Sequence, residues 1–300
     1  MHFSAFRVFL VLTTMIGIAR VAGADPGSVK ADDLVHARLL ADTSGVRSGQ
    51  PFLLGVLLEI KPGWHVYWQN PGDSGRPTKV SFSAPEGYAL GPLQYPVPER
   101  FDQAGNEVVY GYSGSVLLLA EVRPPRGGGA MAAARAVTVD PTAAFSANVT
   151  WLCCNKLCLP GKSQCQLDLP TNIEPQRANE ALFAQWKARF PVPLGDKGAP
   201  ASGSVTPSLS VNTLVFSMVL HWDEPPVEVR FFPAPEDALK ISDVAAKTNA
   251  ADTQVRFKAN VLKGEKLTGN RLTTVVATKD AKGGWRGVTV ECPLDQLLPK

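Results

Sequence analysis

Four of the five cysteines fall within thirteen residues, in Trp151-Leu-Cys153-Cys154-Asn-Lys-Leu-Cys158-Leu-Pro-Gly-Lys-Ser-Gln-Cys165. Clustered thiols can close a structural disulfide, exchange with other thiols, or hold a soft metal. Adjacent cysteines seldom bond to each other, because the ring is strained and neighbouring strand side chains point to opposite faces. Cys153 and Cys154 therefore take different partners. Only Asn155-Lys156-Leu157 separates Cys154 from Cys158. A turn of that length, followed by Leu159-Pro160-Gly161, can bring the two within bonding range. So small a loop removes little unfolded-state entropy, which makes the bond a poor staple and a good candidate for reversible exchange. Lys156 and Lys162 would favour a thiolate if either lies near a sulfur.

Three other fates stay open for these thiols. Cys153 and Cys165 are expected to form a structural disulfide across a strand pair, or Cys153 is simply a small buried residue. Cys292 is expected to be a buried free thiol, since an odd count leaves at least one unpaired. A copper(I) or zinc site at Cys154 and Cys158, with Cys153, Cys165 or His65 as further ligands, is the competing chemistry. The reading adopted here assigns no metal and no cofactor, because disulfide exchange needs neither.

Compartment decides how cysteines are read. Arg7 precedes a mostly apolar run, Val8 to Ile18, interrupted by Thr13, Thr14 and Gly17, and Ala22-Gly23-Ala24 follows. This is the pattern of an export signal, expected to be cleaved after Ala24. About 11 apolar residues are too few for a membrane span, which needs roughly 20. The mature chain is expected to be exported, soluble and without stable membrane insertion. Loss of Arg7 and Arg20 with residues 1–24 takes the formal charge from +3 to +1. The basic residues look scattered along the chain, which argues against nucleic acid. No Ser/His/Asp constellation, phosphate-cradling glycine loop or hydrolase signature is visible.

The elements that must position the cysteines are short strands with turn punctuation; the chain has 25 prolines and 26 glycines. The pattern predicts an all-β protein: an immunoglobulin-like β-sandwich, a short helix, and a second, smaller β-sandwich. The expected strands are Val35 to Ala41, Phe52 to Ile60, Trp64 to Trp68, Lys79 to Ser83, Val108 to Tyr112 and Val116 to Val122. Phe145 to Leu152 and Cys165 to Leu169 flank the cysteine cluster as two strands joined by a loop. Asn70 to Gly75 reads as a turn, in which Asp73 has no acid–base partner, and Pro124 to Ala136 as a variable loop. A helix is expected between Glu174-Pro175 and Pro191, with Ala178, Leu182, Trp186 and Phe190 on one face. Leu194 to Pro207 reads as a linker. Further strands are expected at Leu214 to His221, Val227 to Phe232, Val255 to Val261, Leu272 to Thr278 and Trp285 to Cys292. The predicted division is thus 1–24 signal, 25–172 first sandwich, 173–207 helix and linker, and 208–300 second sandwich. Trp64, Trp68 and Trp151 are expected in the core, and His36 and His221 as ordinary strand residues.

Several motifs in order carry a resemblance: Gly63-Trp-His-Val-Tyr-Trp-Gln-Asn-Pro-Gly-Asp-Ser-Gly75, Tyr95-Pro-Val-Pro-Glu-Arg-Phe101, Tyr110-Gly-Tyr-Ser-Gly114 and Trp151-Leu-x-Cys154-x-x-x-Cys158-x-Pro-Gly161. Over residues 33–170 the chain resembles the N-terminal periplasmic domain of the thiol:disulfide interchange protein DsbD. The resemblance is nearest to the branch that includes the suppressor-of-copper-sensitivity protein ScsB. It implies an immunoglobulin-like domain with a redox pair at Cys154 and Cys158, the latter forming the mixed disulfide. It implies a cap at Pro98-Glu99-Arg100-Phe101-Asp102, with Phe101 shielding the pair and His65 and Tyr67 close to it. The implied partners are periplasmic thioredoxin-fold proteins and, because this chain stops at Lys300, a separate membrane electron donor. Cys153 and Cys165 lie outside the family motif. The alternative is a non-catalytic immunoglobulin-like binding module with structural disulfides, linked to copper handling.

Overall fold

The inward face of one strand shows how the first sandwich is built. In Thr142–Cys154, the alternate residues Ala143, Phe145, Ala147, Val149, Trp151 and Cys153 are buried, while the residues between them are open or half-open. That period of two is what a strand with one face on a core requires. The computed structural model describes residues 33–126, 142–171, 174–210, 213–235, 239–262 and 271–294. The expected export signal, residues 1–24, and most of the expected loop Pro124 to Ala136 lie outside the described residues.

The first ten strands are β1 (Val35–Ala41), β2 (Phe52–Ile60), β3 (His65–Gly72), β4 (Lys79–Ser83), β5 (Ala89–Leu90), β6 (Glu99–Asp102), β7 (Val108–Ser113), β8 (Ser115–Arg123), β9 (Thr142–Cys154) and β10 (Cys158–Pro170). They form two sheets. One has the order β1-β2-β8-β5; the other has the order β10-β9-β3-β7-β6, with β4 also paired to β9. β10 and β6 are therefore the two edge strands of the second sheet. The apolar runs of β2 and β8 pack against the inward residues of β9 and β3 in one cluster, which includes Leu54, Leu58, Leu118, Phe145, Trp68 and Trp151. Trp64 packs at its margin.

The helix α1 spans Glu180–Lys187, shorter than expected, and buries Phe183 and Trp186. The residues before it cannot be helical, because their backbone groups are used elsewhere. Ser44 N–H donates to Gln176 O and Ala178 N–H to Asp42 O, tying this stretch to the loop after β1. The chain then forms β11 (Val192–Pro193), β12 (Ala201–Ser210), β13 (Thr213–Trp222), β14 (Glu228–Pro233), β15 (Leu239–Asn249), β16 (Asp252–Val261), β17 (Arg271–Lys279) and β18 (Trp285–Pro293). These give two four-stranded sheets, β11-β18-β17-β14 and β12-β13-β16-β15. The expected linker ends early, since β12 occupies much of it; as an edge strand, β12 tolerates Pro207. β15 is also an edge strand and is almost wholly exposed, so it carries no apolar alternation to reveal it. The core of this second sandwich centres on Phe216 and Phe257, stacked at 4.9 Å.

The two sandwiches touch through aromatic rings. Phe232 of β14 is fully buried and presents edges to Trp68 at 6.1 Å and Tyr110 at 5.2 Å. Asn70 Nδ2 donates to Pro233 O at 2.8 Å. The contact falls where β3 bulges against β7: Tyr67 pairs with Gly111, but Gly72 pairs with Val109. The strand that carries His65 and Tyr67 is thus braced by the second sandwich. Phe232→Ala should cost about 3–5 kcal/mol of stability, as large-to-small changes in a packed core do. Urea denaturation measures this; an unchanged midpoint would show that the ring contacts contribute nothing.

Candidate functional site

β9 and β10 are the two arms of one hairpin, closed by Asn155, Lys156 and Leu157, with Asn155 N–H donating to Leu157 O. Cys154 and Cys158 are the last register pair before the turn and are joined as a disulfide, with Cα atoms 4.2 Å apart. The cluster therefore lies in the strands themselves, not in a loop between shorter ones. Residues opposite each other in a ladder share a face. Cys154 also pairs with His65 of β3, so His65, Cys154 and Cys158 form one row. Tyr67, two residues along, falls on the same face.

The two sulfur-bearing residues differ in access. Cys154 is 1 % exposed and packs with Tyr67 and Val109, against Phe101 and Leu152. Cys158 is exposed, and its neighbour Leu157 is 54 % exposed at the tip of the hairpin. The Tyr67 hydroxyl lies 4.0 Å from Cys158 Sγ. A disulfide sulfur has no proton, so the phenol is the donor.

Phe101 reaches the site from β6, a short strand that was not among those expected from the sequence pattern. Phe101 stacks on His65 at 4.7 Å, and His65 meets Tyr67 edge-on at 5.2 Å. Gln103 Nε2 lies 3.4 Å from His65 Nε2. The Glu99 carboxylate accepts from Ser113 N–H and Oγ, which pins the start of the cap strand to β7. Behind this cover, the Asn70–Gly75 segment works as a clasp. Asp73 N–H donates to Val108 O, Val108 N–H donates to Asp73 Oδ2, and Ser74 Oγ donates to Glu107. Asp73 is thus a backbone acceptor. Gly75 has φ +102°, and a Cβ there would stand 2.3 Å from the Tyr67 ring, so the loop can close over that ring only with glycine. Asp73 and Ser74 lie in the quoted Gly63–Gly75 motif but were read there only as a turn, and Gln103 and Glu107 carried no motif signal.

Burial sets the charge states. It pushes the His65 imidazole below its ordinary value of 6.5. It also raises the Tyr67 hydroxyl, partly offset by its hydrogen bond with Gln103 and reinforced by the charge of Glu107. Both groups are neutral near pH 7. Burial pushes the Cys153 thiol up to about 11 and the Cys292 thiol up to about 12. Neither is a thiolate at neutral pH, so neither is a ready nucleophile.

The expected Cys153–Cys165 disulfide does not form. Both residues are free and buried. Cys165 pairs with Ala147, six positions along β9 from Cys153, a separation of about 20 Å. Cys165 instead directs its thiol to Ala37 O at 3.4 Å. Lys162 pairs with Thr150, about 13 Å along the strand from Cys158, and does not neighbour a sulfur. Among the described residues, no three His, Cys, Asp or Glu side chains are grouped to hold a metal ion.

His65 yields a pH prediction. Its folded value is depressed, so the unfolded chain takes up a proton first as pH falls through 6.5. Stability should therefore be level above that pH and decline from pH 7 to pH 5. His65→Gln should flatten the decline, measured by urea midpoints across that range. The same slope in both proteins would show that His65 is not the group responsible.

Residues 36–170 match the family model described as thiol:disulfide interchange protein DsbD, N-terminal. Among solved structures, the N-terminal periplasmic domain of ScsB from Proteus mirabilis matches with a TM-score of 0.58 and 18% identity. That alignment covers 89% of this chain and 96% of the other, so the likeness of fold extends into both sandwiches. The periplasmic chaperone SfaE aligns at 10% identity over 84% of this chain and 99% of its own, with a TM-score of 0.21 that carries no argument. No curated protein sequence matches. All four motifs quoted above fall largely or wholly within the matched span. Over residues 36–170, this chain is similar to the DsbD N-terminal domains.

Proposed function

We propose that this chain is a periplasmic thiol–disulfide exchange protein that relays reducing equivalents through Cys154 and Cys158. The observation that carries the reading is the unequal access of two bonded cysteines, one exposed and one buried, beneath an aromatic cover. The match to the family model supports the chemistry, and the periplasmic origin of the ScsB structure supports the compartment. The exchange unit is taken as residues 25–172, after cleavage behind Ala24.

In the reduced protein the Cys158 thiolate attacks a sulfur of the partner's disulfide. A mixed disulfide forms and one partner sulfur leaves as thiolate. The Cys154 thiolate then attacks Cys158 Sγ, which closes the intramolecular bond and releases the second partner sulfur. Two electrons and two protons pass to the partner. The reverse sequence, with a membrane-held donor, restores the dithiol. Buried Cys154 suits the resolving role, because a partner cannot reach it first. Phe101 gates the approach to the pair, and the Tyr67 hydroxyl stabilises charge on Cys158. Thioredoxin-fold proteins are the partners this family implies.

A redox titration of residues 25–300, with alkylation and peptide mapping at each potential, tests the reading. Cys154–Cys158 should open as one two-electron couple above about −300 mV, the range of structural disulfides. If it opens only below that range, the pair is a staple and the exchange reading fails. Cys158→Ser and Cys154→Ser should each abolish electron transfer with the fold intact, whereas Cys292→Ser should leave transfer unchanged. Tyr67→Phe should slow alkylation of reduced Cys158 by roughly fivefold, the equivalent of about 1 kcal/mol for a lost hydrogen bond.

A further inference from the structure

Three basic residues that are scattered in the sequence meet on the sheet face that carries the redox pair. Lys79 of β4 pairs with Thr150 of β9, and Thr150 pairs with Lys162 of β10. Register partners share a face, so the two lysines stand on either side of Thr150. Thr150, Leu152 and Cys154 alternate with the buried Val149, Trp151 and Cys153, which puts the lysines on the face that carries the disulfide. Arg76 joins them from the segment before β4. The three cations line an open cavity of about 570 Å³, together with Thr150, Leu152 and Pro160, and no carboxylate lines it. The cavity lies where the sheet is interrupted: β3 leaves β9 at Cys153, and β4 joins it only at Thr150.

None of the three cations has an ion-pair partner among the described residues. Like charges held together without a counter-charge oppose folding, and they attract anything negative that approaches. Distance decides what they attract. The Thr150 row is four positions from Cys154, about 13 Å along the strand. Weak redox encounters bury less than about 1,200 Å² in total, or about 600 Å² on each side. A disc of that area has a radius of about 14 Å. A protein centred on Cys158 with a footprint of that size reaches Lys162 at its rim, with Lys79, two strands across, about 16 Å away at its border, and the exposed Leu157 gives it an apolar contact beside the sulfur.

We propose that Arg76, Lys79 and Lys162 form the docking surface for an acidic redox partner, a protein whose reactive cysteine has carboxylates about 13 Å to one side. The inference rests on the exchange reading and deepens it by naming the charge of the partner. Complementary charge acts mainly on association rate, by tenfold or more at low salt.

The test uses two synthetic peptides, each with one cysteine in a mixed disulfide with thionitrobenzoate. One carries a run of glutamates after the cysteine, and the other carries glutamines. The reduced protein converts each into peptide thiol and thionitrobenzoate while its own pair closes, so electrons balance and the yellow product reports the rate. At low ionic strength the glutamate peptide should react about tenfold faster. The advantage should vanish in about 0.5 M salt, where screening is strong, and in the Arg76→Glu/Lys79→Glu variant. The glutamine peptide should react equally with both proteins. Equal rates for the two peptides, or an advantage that survives in the variant, would overturn the inference. If neither peptide is reduced, the exchange reading falls, and calorimetry with a cysteine-free glutamate peptide decides the surface. Salt-sensitive binding that the variant loses sustains an acidic partner; no binding overturns it.

Discussion

The site depends on one register, Cys154 against Cys158. A slip of one residue between β9 and β10 would send one sulfur into the core and leave the other outside. The register is held from the opposite face of the sheet. Trp151 pairs with Gly161, and the indole lies where a Cβ on residue 161 would be, 2.4 Å from Nε1. Only glycine fits beneath that ring. The inward row from Ala143 to Cys153 adds the burial of Phe145, Val149 and Trp151 to the same alignment. The core thus fixes the geometry of the sulfur atoms without touching them.

The same alternation separates the thiols. Cys153 and Cys154 are neighbours in sequence but belong to different packed clusters, one within the sandwich and one beneath the aromatic cover. A sheet stands between them. Cys153 is also held protonated by its surroundings, so it is poorly suited to attack the adjacent bond. Three cysteines within six residues can coexist because only two of them share a face.

Strands whose residues alternate against a core were legible: β1, β2 and β4 have the bounds their apolar pattern suggests. The Cys154–Cys158 bond was legible as well, since a three-residue turn can bring the residues that flank it within bonding range. What was not legible depends on tertiary partners. The cap at Phe101 became a strand because β7 offers it backbone groups, which composition does not reveal. Residues 174–178 lost their helix to the loop after β1. Cys165 looked like a partner for Cys153 because both flank the turn, and only the register shows them six positions out of step. Arg76, Lys79 and Lys162 looked scattered because their meeting requires three separate segments to lie side by side.

One further consequence concerns β10, an edge strand of its sheet. An unpaired strand edge invites a second copy of the same chain to add its own strand, the first step of self-assembly. Under the proposed exchange, such an addition would crowd Cys158 and hinder an incoming partner. Two residues past the sulfur, Pro160 has no N–H to offer an incoming strand, and Lys162 adds a charge that a like edge would repel. The segment that the proposed exchange needs open to a foreign cysteine is thereby made inhospitable to its own kind.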